Sequence, residues 1–173
     1  HGGRQLCDAM QGTGIEGRDP IDRYSCQMLA QWFSQALPGC RYRILYPVDT
    51  PVGLQALGEL AGWHQPTPFR VGIDPEWGTW FAYRAAVLCS TPFSPFLRVD
   101  RDFPCTSCAQ SPCIVACPPQ ALANGVFNLN ACLEWRMLPG SSGASTCLAR
   151  FACPVGAAHR YDETQIRHSY GRS

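Results

Sequence analysis

No lysine occurs in this chain: all fourteen basic residues are arginine, scattered from Arg4 to Arg172 without a run of five or six. A nucleic-acid surface needs a dense basic stripe to replace the counterions of the phosphates, and the sequence offers none. Also missing is any stretch of eighteen consecutive apolar residues, which excludes a membrane-spanning helix. Charge of either sign is scarce, 16% of residues against 46% hydrophobic, which excludes a disordered polar tail. What is left is a globular chain with a fairly apolar surface, part of which a partner or neighbouring subunit would cover. Its 173 residues suffice for one core with a small appendage, not for two full domains. The first residue is His1, which points to a trimmed chain or a fragment, so targeting is not readable from this end.

Cysteine, by contrast, is abundant. There are eleven, and seven of them follow residue 100. A secreted disulfide framework spreads its cysteines through a short loop-rich chain, whereas these crowd into the last third. Crowding favours metal binding in a reducing compartment, and the expected location is a bacterial-type cytoplasm.

Along the chain, residues 1–18 are polar and glycine-rich and read as an irregular lead-in. Asp19 followed by Pro20 reads as a helix cap and first helical position, and Ile21, Tyr24, Met28, Leu29, Trp32, Phe33 and Ala36 recur at helical spacing. This predicts a helix over 20–37, ended by Pro38 and Gly39. RYRILYPV alternates Tyr42, Ile44, Tyr46 and Val48 as a strand does. Leu54, Leu57, Leu60 and Ala61 form the apolar stripe of a second helix, weakened by Gly53 and Gly58. Two β-rich runs around DPEWG predict a hairpin turning at Pro75 and Gly78. STPFSP, residues 90–95, is a proline-punctuated connector. The expected organisation is therefore α+β: an α/β core domain over 19–96, then a cysteine-rich module over 97–173 that is too poor in periodic segments to fold without a staple.

The staple is written in CTSCAQSPCIVACPP. Cys105, Cys108, Cys113 and Cys117 follow the pattern C-x2-C-x4-C-x3-C-P, in which thiolates from one compact loop converge on a cubane and the last cysteine ligates a second cluster. The fourth ligand of the first cluster must then come from downstream, where CLARFACPV offers Cys153, again followed by proline. The run resembles the ferredoxin-type 4Fe-4S domains, with Pro112 just before the third cysteine. The resemblance implies one 4Fe-4S cluster on Cys105, Cys108, Cys113 and Cys153. Cys117, Cys132 and Cys147 would then be ligands of a second site. A regular second motif would add cysteines at 143, 146 and 149, which are Gly143, Thr146 and Ala149. The second site is thus one ligand short. It could hold a 3Fe-4S cluster, recruit a non-cysteine ligand, or stay empty with two thiols paired. Zinc or disulfides are the alternative reading of the whole set. His159 and His168 read as ordinary surface histidines.

Upstream, GRDPIDRY with its helix, YRILYPVDTPV, LGELAGW and IDPEWGTWFAY follow in order the pattern of the epoxyqueuosine reductases and their ferredoxin-annotated relatives. That resemblance implies a nitroreductase-like core that binds cobalamin, joined to a ferredoxin-like module, with Asp49 as proton donor. The chain departs from the family in its short lead-in, in WHQPTPFR at 63–70 and in the incomplete second motif. Asp49 also reads simply as a helix-capping residue. The aromatic residues Trp63, Trp77, Trp80, Phe81 and Tyr83 read either as the lining of a cofactor cleft or as core. Cys7, Cys26, Cys40 and Cys89 read as small apolar residues, with an exposed, oxidisable thiol as the alternative for Cys7 in the loose lead-in. The functional expectation is an electron carrier with at least one 4Fe-4S cluster and a redox partner protein. The alternatives are a cobalamin-dependent reductase and a structural domain with a vestigial cluster site.

Overall fold

The computed structural model describes residues 2–15, 17, 19–48, 51–94 and 102–170. It combines short helices with two small antiparallel sheets, an α+β composition. The chain divides into two compact units, His1–Ala61 with Phe81–Arg98 and Gly62–Trp80 with Val99–Ser173. Residues 62–80 therefore group with the cysteine-rich segment. The connector's end at residue 95 and the boundary at 96/97 lie outside the described residues.

In the first unit, the lead-in expected to be irregular contains α1, Arg4–Gln11. Its glycines sit outside the helix, at Gly2, Gly3 and Gly12, and leave an uninterrupted stretch between them. Cys7 is buried on the inner face, which fits a small apolar residue and not an exposed thiol. The longer helix α2, Pro20–Ala36, starts on Pro20, and Asp19 stands at its cap position in a left-handed conformation without a side-chain capping bond. Ile21, Tyr24 and Phe33 form its buried face, while Trp32 stays 48% exposed. Phe33 stacks on Tyr42 with centroids 4.1 Å apart, which ties α2 to the first strand, β1, Tyr42–Tyr46.

A third helix, α3, spans Leu54–Leu60. The helix expected from the leucine stripe is present, and Leu57 and Leu60 of that stripe are 48% and 77% exposed. The helix instead turns Gly58 inward beneath the Tyr83 phenol, where any Cβ would collide with the ring. The glycine that weakens the helical pattern is what permits the close approach.

Two strand pairs, one in each unit, replace the expected hairpin. The turn itself is present: Asp74 and Gly78 form an isolated bridge, and the Asp74 carboxylate accepts from the backbone N–H groups of Glu76 and Trp77 at 2.8 and 2.9 Å. Such an Asx turn is stable locally, but it does not decide the pairing of what flanks it. The run before it contributes β3, Gly72–Ile73, which pairs with β2, Gln65–Pro66. The run after it contributes β4, Ala86–Cys89, which pairs antiparallel with β1 in the first unit, Ile44 opposite Val87, with an irregularity between Ile44 and Tyr46.

The second unit is held by two apolar clusters. One gathers Phe69, Cys113, Leu122 and Ala149, with Val71, Ile114, Cys117, Phe127 and Cys147 packed against it. The other gathers Trp80, Tyr161 and Ile166, with Phe151 and Tyr170. Its helices are α4 (Pro112–Val115), α5 (Leu129–Met137), α6 (Leu148–Ala152) and α7 (Glu163–Tyr170). Among the described residues no helix is long and apolar enough to cross a membrane.

Candidate metal centre

Two short helices bracketed by cysteine carry the site. Cys113 lies at the start of α4 and Cys117 just beyond its end; Cys147 precedes α6 and Cys153 follows it. The two helices pack against each other. Pro112 supplies the first residue of α4, where its missing N–H costs nothing, and Pro118 and Pro154 stop continuation past each cysteine. Cys105 and Cys108 arrive on the preceding loop, closed by the Cys108 N–H donating to the Cys105 carbonyl at 3.4 Å. The Ser111 hydroxyl then donates to the Cys108 carbonyl at 3.2 Å. Cys132 rides on the first turn of α5, which is fixed by its cap: the Asn128 side chain accepts from the Ala131 N–H at 3.0 Å.

The loop that presents Cys153 is fastened from the other side. Gly78 and Gly156 both have positive φ, 59° and 67°, and a Cβ on either would run into the other's strand, at the Val155 and Trp77 carbonyls. Beside this contact Trp77 stacks on His159 with centroids 4.7 Å apart. The backbone after Cys153 is therefore seated in the 74–78 turn.

The electrostatics sort the seven thiols into two groups. Burial pushes the Cys105 thiol up to about 11, helped by the neighbouring thiols of Cys153, Cys113 and Cys108. Burial also raises Cys113, and Cys153 and Cys108 add to the effect. In the other group burial raises Cys132, with Cys147 and Cys117 adding and Arg136 opposing. Cys147 is likewise raised by burial and by Cys117, while the Arg150 backbone amide and guanidinium pull it down. The thiols that act on Cys105 and Cys113 thus come from Cys105, Cys108, Cys113 and Cys153, and those that act on Cys132 and Cys147 from Cys117, Cys132 and Cys147. No disulfide joins any of the eleven cysteines. Among the described residues no group of three or more His, Cys, Asp or Glu is arranged to hold a metal ion.

The three positions where the second motif lacks a cysteine are occupied by packing. A Cβ added to Gly143 would come within 2.6 Å of the Trp135 ring. Ala149 is 3% exposed inside the first apolar cluster, and the Thr146 hydroxyl is buried without a hydrogen-bond partner. Gly143 in particular lets the 142–144 turn close on α5.

Asp49 lies outside the described residues. Val48 before it lines an open cleft of about 600 Å³ in the first unit with Asp19, Asp22, Arg23, Cys26 and Tyr46. Of the aromatic residues considered as cleft lining, Trp80 and Phe81 are core, and Trp63 is 47% exposed. His168 is exposed, and His159 lies against Trp77. The sequence reading missed Arg136, Arg150 and Tyr170. A basic residue bracketed by Cys147 and Cys153 was the available signal for Arg150.

No protein-family model, curated protein or solved structure matches the chain.

Proposed function

We propose that the chain is an iron–sulfur electron-transfer protein, with at least one 4Fe-4S cluster held by Cys105, Cys108, Cys113 and Cys153 and a redox protein as its partner. The observation that carries this reading is that α4, which starts at Pro112 beside Cys113, packs on α6, which ends just before Cys153, so that Cys153 and Cys108 act on the Cys113 thiol and all three neighbours act on Cys105. A cubane needs that convergence at a spacing wider than a single ion does, and thiolate is its ordinary ligand. When bound, such a cluster supplies one-electron oxidation and reduction. The chain's own part is to hold four thiolates, to exclude water around the buried Cys113 and Cys153, and to aim backbone amides at sulfur. The finer fold assignment belongs to the same proposal: a nitroreductase-like first unit and a ferredoxin-like second.

Purification under anaerobic conditions followed by iron, sulfide and zinc analysis tests it. Iron and acid-labile sulfide in near-equal amounts are expected. Zinc without sulfide, or unmodified thiols with neither after reconstitution, would overturn it.

A further inference from the structure

Seven buried side-chain nitrogen or oxygen atoms lack a hydrogen-bond partner among the described residues, and five of them belong to Thr146, Arg160, Tyr161 and Gln165. Native interiors leave few such atoms unpaired, because a buried donor without an acceptor keeps its full desolvation penalty. Two of these residues, Thr146 and Tyr161, line one cleft of about 400 Å³ in the second unit. Tyr161 is 6% exposed, and its hydroxyl is one of the unpartnered atoms. The loop before α6 supplies Thr146, α6 supplies Phe151 and α7 supplies Ile166, so the cleft joins two hydroxyls to an apolar wall. Its volume lies at the lower end for small-molecule sites and suits a ligand of one ring.

A hydroxyl can donate or accept, so the surrounding charge decides what it meets. Arg150 lies 4.8 Å from the centroid of the Tyr161 ring, and Arg160 lies 5.9 Å from that of Phe151. Neither guanidinium lines the cleft itself. Arg150 donates to the Thr79 carbonyl and, at 3.1 Å, to the Tyr170 hydroxyl, a phenol that burial keeps protonated. Arg160 donates to the Phe151 and Cys153 carbonyls at 2.9 and 3.4 Å. These neutral partners hold the two cations in place without cancelling their charge. Arg167 stands at the mouth of the cleft paired with Glu163, their side chains 71% and 79% exposed. The Asp162 carboxylate accepts from the Gln165 N–H at 2.8 Å. From α6 to the end of α7 three arginines thus stand against two carboxylates, and the excess positive charge lies behind the aromatic wall.

We propose that this cleft is a binding site for a small aromatic monocarboxylate. The carboxylate accepts from the Tyr161 and Thr146 hydroxyls, and the ring lies on Phe151 and Ile166, with entry past the exposed arms of Glu163 and Arg167. Hydrogen bonds to an ion are about twice as strong as neutral ones, which favours the anion over a neutral ring of the same shape. Burial of the ring favours it over an anion that has none. The site uses no cysteine and stands apart from the iron–sulfur reading.

Isothermal titration calorimetry of the full chain, kept anaerobic and reduced, tests the site with benzoate as the probe. Saturable binding of one benzoate per chain is expected, at least about tenfold tighter than benzyl alcohol, which keeps the ring without the charge, or acetate, which keeps the charge without the ring. Tyr161→Phe removes the hydroxyl and retains the ring with its edge contact to Trp80 at 5.4 Å. It should weaken benzoate about tenfold, as should Thr146→Val. The ligand-free melting temperature of both variants should stay at or above that of wild type, since neither loses an internal hydrogen bond. A ligand-free Tyr161→Phe chain that melts lower, or does not fold, shows a hydroxyl that serves the fold, for instance through a buried water, and overturns the proposal. So do the absence of saturable binding, equal affinity for benzyl alcohol, and unchanged benzoate affinity in both variants. Affinity should be the same before and after anaerobic reconstitution with iron and sulfide; binding confined to the iron-loaded protein also overturns it.

Discussion

Cys153 helps to raise the Cys113 thiol although one follows α6 and the other opens α4, and each is 9% exposed. Chain connectivity alone would not bring them together. What does is the packing of α4 on α6 around Leu122 and Ala149, together with the seat that Gly78 and Gly156 give the loop behind Cys153.

Cys153→Ser should therefore remove the first set's capacity for iron and sulfide while leaving the fold in place. After anaerobic reconstitution the variant is expected to lose about half or more of the bound iron. Cys89→Ser, on β4 outside both sets, should bind as wild type. Equal iron in the two variants would contradict the assignment.

Gly78→Ala should destabilise the protein by about 2–4 kcal/mol, because the residue has φ 59° and its Cβ would meet the Val155 carbonyl. The same strain displaces the loop behind Cys153, so iron content should fall with stability. Denaturant unfolding of the iron-free form and iron analysis of the reconstituted form check the two effects separately.

Leu122→Ala should cost about 2–5 kcal/mol, since Leu122 is 2% exposed in the cluster that contains Cys113. Leu60→Ala, at 77% exposure on α3, should change stability by less than about 0.5 kcal/mol. Paired chemical denaturation curves suffice to compare them.

The iron-free thiols should react in an order set by their surroundings. Cys40 is lowered, chiefly by its 2.8 Å contact with the Thr91 hydroxyl, so it carries more thiolate near pH 8 and should be alkylated before Cys105, whose thiol is pushed up to about 11. The same shift has a stability sign. The folded value of Cys105 lies above the ordinary 9.0, so its contribution is fully present below pH 9 and is lost as pH rises toward 11. Iron-free protein should thus soften in alkali over that window, followed by thermal melts. Mass spectrometry after timed iodoacetamide exposure reads the order.

Local features were legible in the sequence, and non-local ones were not. The α2 helix, the β1 strand and the turn at DPEWG each follow from residues within a few positions of one another, and the structure contains all three. The partners of the flanking runs are set by distant segments, which is why β4 lies against β1 and the expected hairpin is absent. Helix α1 was hidden by the glycines that border it. On α3 the residue that packs inward is Gly58 beneath the Tyr83 ring, a contact with a residue 25 positions away that the leucine pattern does not contain. At the site, the cysteines were legible one by one, while the packing of α4 on α6 that brings their segments together was not. Arg150 escaped notice because its surroundings, Thr79 with Trp80 and Tyr161, come from two stretches of chain distant from its own helix or beyond its end.

The indole of Trp135 stands where a side chain at position 143 would have to go. Anyone wishing to complete the shorter cysteine set by engineering must begin with the tryptophan: Gly143→Cys alone collides with it, and Trp135→Ala must come first to open the room.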